Sequence, residues 1–202
     1  MRLRRSLVAL PLVVLPLALL AVHPAAVEPR GRAALQPAAA TLIDPARSHV
    51  GFTISKLGYS DVEGRFGDFD VDLRYEPERP SRSSVRWRVR VGSVETDAAN
   101  RDRTLQSVEY FDAARHPELT FESRQVRAID SGRLEVDGDI TIKGRTRPLT
   151  ISVHRTADGG GFETRFALDR YDFDVRGGRV MGRLIGRTVR VHLVAAVKGG
   201  TR

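Results

Sequence analysis

Cysteine does not occur in this chain of 202 residues. That excludes a disulfide framework, a thiolate nucleophile and a cysteine-bound metal. It does not exclude an oxidising compartment. Histidine is sparse: His23, His49, His116, His154 and His192 are the full set, and none stands at a metal-ligand spacing such as H-E-x-x-H. They read as strand or surface residues, so no metal site is expected. There is no G-x-S-x-G elbow and no phosphate-binding loop. Asp68, Asp70 and Asp72 imitate the start of a calcium loop, but Leu73 and Arg79 stand where its glycine and bidentate glutamate belong. Asp102 and Asp112 read as cap or turn residues before they read as general acids. Nothing in the chain offers a strong acid–base pair.

A dominant charge sign is also missing. The net charge is +8, from 33 Lys and Arg against 25 Asp and Glu, and residues 1–40 hold five arginines and one glutamate. Half the excess therefore lies outside the bulk of the chain. Nucleic-acid proteins cluster basic residues on one face. Arg86, Arg88 and Arg90 make a small basic stripe, but acidic strand faces lie nearby. The stripe reads as a solvated outer face, and no nucleic-acid partner is expected.

The N-terminal 40 residues do not read as fold. Three arginines within Met1–Arg5 precede an apolar run, Leu7–Val22, that Pro11 and Pro16 interrupt. That is the n-region and h-region order of a secretory signal. The run is shorter than the roughly 20 apolar residues of a spanning helix. Ala21, Ala25 and Ala38–Ala40 are candidate cleavage positions. An uncleaved anchor is the competing reading. Residues 24–40 are an Ala/Pro/Arg-rich spacer without periodicity. The expected layout is a signal peptide and spacer over 1–40 and one domain over 41–199, in the periplasm or secreted.

What the domain has is alternation. In the run after Asp68, Phe69, Val71, Leu73 and Tyr75 share a side, and Asp70, Asp72 and Arg74 take the other. After a proline-bearing turn, Val85, Trp87, Val89 and Val91 share a side opposite Arg86, Arg88 and Arg90. Successive strand side chains point to opposite faces, so each run has a dry face and a wet one. The same period marks His49–Ser55, Leu119–Ala128, Leu134–Ile142, a run through Leu149, Ile151 and Val153, a run through Phe162, Phe166 and Leu168, and a final run from Val189 to Val197. Phe66 is out of step with Phe69, which suggests a bulge near Gly67. Between Thr96 and Val108 alternation stops, and a short helix is predicted there, capped by Asp97 or Asn100. Tyr171–Arg187 holds Gly177, Gly178, Gly182 and Gly186 and reads as a mobile loop. Eight strands at short spacing predict an all-β sandwich or a closed barrel. Eight strands leave room for packed side chains or one small ligand.

The segments IDPARSHVGFTISKLGYSDVEGRFGDFDVDL, RDRTLQSVEYFDAARHPELTFES, GDITIKGRTRPLTISV and TVRVHLVAAVK together resemble the YceI-like family, polyisoprenoid-binding bacterial proteins of the periplasm or the medium. The resemblance runs in order over roughly residues 41–198. It implies an eight-stranded antiparallel lipocalin-like barrel with one short helical segment near residues 98–108. It implies that the interior holds a long isoprenoid lipid, a polyisoprenoid or an isoprenoid quinone, with no catalysis and no cofactor. On that reading Phe52, Ile54, Leu57, Phe69, Trp87, Val89, Leu105, Phe111, Phe121, Ile140 and Phe166 line the cavity, and Tyr110, Phe111 and Leu57 close one end. Lys56, Arg65 and Arg101 are the candidates for a lipid head group. The chain departs from the family where histidine is frequent: Arg47, Lys56 and Arg103 stand there. Cations in those places weaken a metal or proton-shuttle role and suit an anionic head. The expected partners are an isoprenoid lipid and, transiently, a membrane surface, with the protein a monomer or homodimer. The alternative is a hydrolase or isomerase acting on a small apolar substrate in the same cavity.

Overall fold

The computed structural model describes residues 40–58, 60–178 and 181–199. The expected signal peptide and almost all of its spacer lie outside them. Eleven strands form one antiparallel sheet: β1 (Ala40–Thr41), β2 (His49–Lys56), β3 (Ser60–Phe66), β4 (Phe69–Arg74), β5 (Ser84–Arg90), β6 (Val94–Glu95), β7 (Glu118–Ala128), β8 (Arg133–Ile142), β9 (Arg145–Arg155), β10 (Gly161–Asp169) and β11 (Ile185–Ala196). Their order is β1-β4-β5-β7-β8-β9-β10-β11-β2-β3-β6. The sheet curls into a half-barrel. The architecture is therefore mostly β, as expected, but the described residues form eleven strands, not eight, together with two helices. The three additional strands had weak signals. β1 and β6 are two residues each, too short to show a period. In β3 the inward row is Val62, Gly64 and Phe66, with a glycine where an apolar residue would have marked the alternation.

The step between Phe66 and Phe69 is a corner. β3 pairs with β2 on one side of it, and β4 pairs with β5 on the other. The Gly67 N–H donates to the Ser93 carbonyl at 3.1 Å, and the Arg90 N–H donates to the Asp68 carbonyl at 2.9 Å. The corner thus keeps its hydrogen bonds while the side-chain parity resets. The organising hairpin has the register its alternation implies: Val71 opposes Trp87, Leu73 opposes Val85, and on the other side of β5 Trp87 opposes Phe121. Such apolar cross-strand pairs each contribute about 0.2–1 kcal/mol. Outside, Arg86 pairs with Glu122, and Arg90 pairs with Asp70 and Glu118. The basic stripe is a solvated, charge-balanced face.

Helix α1 (Ala99–Gln106) fills the predicted place. Its cap is not the expected one. Ala98 is the N-cap and makes no side-chain bond, and Asp97 sits at a φ of 60°, outside the helix. Asp102 in the first turn instead accepts from the Thr96 hydroxyl, a carboxylate placed where the helix dipole favours it. The glycine-rich stretch is structured as well. It holds a 3-10 turn, Arg170–Phe173, and a four-residue helix α2 (Met181–Leu184).

The strand ends fall into two sets. At one end lie α1, the loop that follows it, the β8–β9 turn and the segment between β10 and β11. Lys143 joins three of these, donating to the carbonyls of Val108 at 2.8 Å and Asp174 at 3.1 Å. Gly177 N–H donates to the Glu109 carbonyl at 3.0 Å. At the other end Val126, Leu134, Val136, Phe162 and Ala195 are buried against one another.

Candidate functional site

The inward rows at the first end enclose a cavity of about 470 Å³. That is within the range of small-molecule sites, about 300–1,000 Å³. Its strand residues Phe52, Ile54, Phe166, Val189 and Val191 are only partly buried although they point inward. An inward apolar side chain stays accessible only where the interior is hollow. The lining is apolar apart from Lys56, Arg101, Arg170, Thr104, Thr120 and Tyr110. Among the described residues, no aspartate, glutamate or histidine lines it.

Nine of the eleven predicted lining residues border this cavity: Phe52, Ile54, Trp87, Val89, Leu105, Phe111, Phe121, Ile140 and Phe166. Leu57 and Phe69 do not. Leu57 is in the β2–β3 turn at a φ of 57°, and its N–H donates to the Leu184 carbonyl at 2.7 Å. That bond holds it on the rim, with its side chain exposed. Phe69 opens β4 just past the corner, and its ring packs on the Trp87 indole with centroids 6.0 Å apart. It backs a lining residue without reaching the cavity.

Of the head-group candidates, Lys56 and Arg101 border the cavity and Arg65 does not. Arg65 lies on the outer row of β3 and is ion-paired with Glu95 at 2.7 Å. The β3 alternation that turns Val62 and Phe66 inward turns it out. Arg101 is partly committed: its Nε donates to the Thr96 hydroxyl at 2.8 Å, and an Nη donates to the Thr96 carbonyl. Lys56 makes no ion pair among the described residues.

Arg170 was not anticipated from the sequence. It is buried and borders the cavity. Its five N–H groups all donate to backbone carbonyls: Nε to Gly186 at 2.8 Å, Nη1 to Val175 at 2.6 Å and Arg176 at 2.7 Å, and Nη2 to Gly182 at 2.7 Å and Ile185 at 3.0 Å. Burial lowers its pKa, and the nearby Tyr171, Tyr110 and Asp169 offset that in part; an arginine remains charged regardless. Burial likewise raises the pKa of the Tyr110 phenol beside it. The only hint in the sequence was a glycine-rich segment whose carbonyls needed donors from somewhere.

His49 and His192 lie on the outer row of β2 and β11, rings 5.7 Å apart. Partial burial, then the neighbouring His192 and Arg65, hold the His49 pKa below its ordinary value. Among the described residues no three metal-ligating side chains converge.

A curled antiparallel half-barrel around a hollow apolar interior defines a β protein with space for one apolar ligand. Residues 42–197 match the YceI-like domain family, and the chain belongs to that family. Curated relatives include a UPF0312 protein of Vibrio cholerae, 36% identical over 171 residues, covering 80% of this chain and 89% of the relative. Another, from Ectopseudomonas mendocina, is 34% identical over 143 residues, covering 66% and 75%. Among solved structures, BcnA of Burkholderia cenocepacia matches with a TM-score of 0.70 at 22% identity, over 76% of this chain and 98% of that one. A polyisoprenoid binding domain from Saccharophagus degradans, implicated in plant cell wall breakdown, matches with a TM-score of 0.59 at 16% identity, over 77% and 95%. These likenesses establish the fold.

Proposed function

We propose that the domain is a non-catalytic carrier that holds the tail of a long isoprenoid lipid in its interior and the lipid's polar head at the cationic end of the cavity. The observation that carries this reading is the composition of the 470 Å³ cavity among the described residues: apolar walls, three cations and no carboxylate. Each methylene moved from water into such a wall is worth about 0.8 kcal/mol, so a long tail needs no covalent attachment. Lys56 and Arg101 meet an anionic or strongly polar head, and Arg170, which also borders the cavity, adds positive potential. The solved polyisoprenoid binding domain of the same fold is consistent with this ligand class. A hydrolase or isomerase would have to take its general base from Lys56 or Tyr110, since among the described residues the lining holds no carboxylate or imidazole. With a secretory leader ahead of the domain, the carrier works in the cell envelope and touches membranes only in passing.

Mass spectrometry of an organic extract of the purified protein tests the reading. A prenyl lipid should co-purify, and adding it back to delipidated protein should change Trp87 emission saturably. Protein that yields no lipid and whose Trp87 emission ignores every prenyl compound would rule the carrier out.

A further inference from the structure

A second cavity, of about 50 Å³, lies beyond the first. At roughly 10–15 Å³ for each water-sized group, it has room for about four such groups, close to the five carbons of one prenyl unit. Its walls come from the opposite strand ends, among them Leu73, Tyr75, Val85, Leu134 and Phe162. The two cavities share three lining residues: Trp87, Ile151 and Leu193. These sit in the middle of β5, in the second half of β9 and in the second half of β11, and they converge because the sheet curls. Trp87 and Ile151 are buried, and Leu193 is partly so. Lys56, Arg101 and Arg170 all belong to the larger cavity alone.

We propose that Trp87, Ile151 and Leu193 form a septum that sets the length of apolar chain the interior accepts. This rests on the carrier reading. A tail whose head stays near Lys56 and Arg101 runs down the larger cavity and stops at these three side chains. Any further unit must remain in water, where it returns nothing, or displace the septum into a closely packed wall. The small cavity is space the tail reaches only when the septum is cut back. The specificity predicted is for chain length. It does not depend on head-group chemistry.

Native mass spectrometry with geraniol, farnesol, geranylgeraniol and solanesol tests this on the delipidated full-length protein. Affinity of the wild type should rise along the series and then level off. Leu193→Ala and Ile151→Ala should each move the plateau to a longer alcohol. The first alcohol beyond the wild-type plateau should bind at least about tenfold tighter than it does to wild type. That factor is about 1.4 kcal/mol, less than burying roughly two further methylenes returns. Val85→Phe fills the small cavity: alone it should leave the wild-type profile unchanged, and added to Leu193→Ala it should cancel the gain. Should an alanine variant not fold, Leu193→Val carries the same prediction with a smaller shift. Folded variants that bind with an unmoved plateau would overturn the septum while leaving the carrier reading intact. A wild type that binds none of the alcohols would remove both.

Discussion

Phe52 and Gly64 face each other across β2 and β3, and the missing side chain is what admits the ring. A Cβ on Gly64 would sit 2.2 Å from the Phe52 ring. Gly138 does the same for Phe121, whose ring atoms come within 2.5 Å of where its Cβ would be. Two lining aromatics are thus laid along the sheet by glycines, a device that fixes ring orientation from the sheet side. On the outer surface His49 behaves differently from the carboxylates. Its folded pKa lies below the ordinary 6.5, chiefly because its ring is partly buried, with His192 and Arg65 adding to the effect. A depressed folded pKa favours the neutral form in the native state, so the associated stability is present above the unfolded value. It is lost as pH falls through the folded value. A melting curve at low salt should therefore show a small decline in Tm as pH falls from about 7 to 5, a window above the about 3.9–4.3 of free carboxylates. In His49→Gln that decline should be absent. An equal decline in the variant would assign the titration to another group.

At the scale of elements, what could be read in advance was whatever carries a period. Val71, Trp87 and Val89 alternate with charged neighbours, and most of the strands, their inward rows and seven of the nine correctly placed lining residues followed from that; Leu105 and Phe111, in a stretch without strand period, followed from the family resemblance. β3 escaped because Gly64 interrupts its inward row, and Leu57 was misplaced because a turn residue with positive φ has no strand parity to read. Phe69 shows the limit of parity: it faces inward with its row but meets Trp87 before it meets the cavity. The segment between β10 and β11 escaped for another reason. Its glycines suggested mobility, yet one buried guanidinium ties three of its carbonyls to two more at the start of β11, and Arg170, Arg176 and Arg187 pack around the Tyr171 ring at 4.7–4.8 Å. A long-range clamp by a single arginine leaves no local pattern. Arg170→Met should expose its cost. Five backbone acceptors lose their donor, and a buried unsatisfied group costs about 1–3 kcal/mol. Solvent will recover some of them, so a loss of at least about 3 kcal/mol is expected, about 6–12 °C in Tm for a chain of this size. Amide exchange should quicken over residues 175–187. Arg170→Lys should recover only part, since an ammonium has three donors and no fork. Unchanged exchange in that segment would show that the clamp is not what orders it.

For the whole molecule the governing feature is uneven packing along the interior. At one end Val126, Leu134, Val136, Phe162 and Ala195 are buried around a void of about 50 Å³. At the other end inward side chains stay half-accessible around about 470 Å³. Ordinary interiors are close-packed throughout, and a void of this size forfeits dispersion contacts that only a ligand restores. The same substitution should therefore have opposite consequences in different places. Val91 is 0% exposed and borders neither cavity. Val91→Phe adds bulk to a filled site and should destabilise by about 1–3 kcal/mol. Val191 points into the large cavity, so Val191→Phe should fold to within about 1 kcal/mol of wild type, because the added ring enters empty space and gains contacts there. It should also lose affinity for a prenyl ligand, since ring and tail compete for the same volume. Urea unfolding of the three delipidated proteins measures the first part, and a Trp87 titration measures the second. The two halves fail separately. If Val191→Phe unfolds as readily as Val91→Phe, the interior closes up in solution and the cavity is not standing space. If it folds well and binds lipid as tightly as wild type, the tail takes another path.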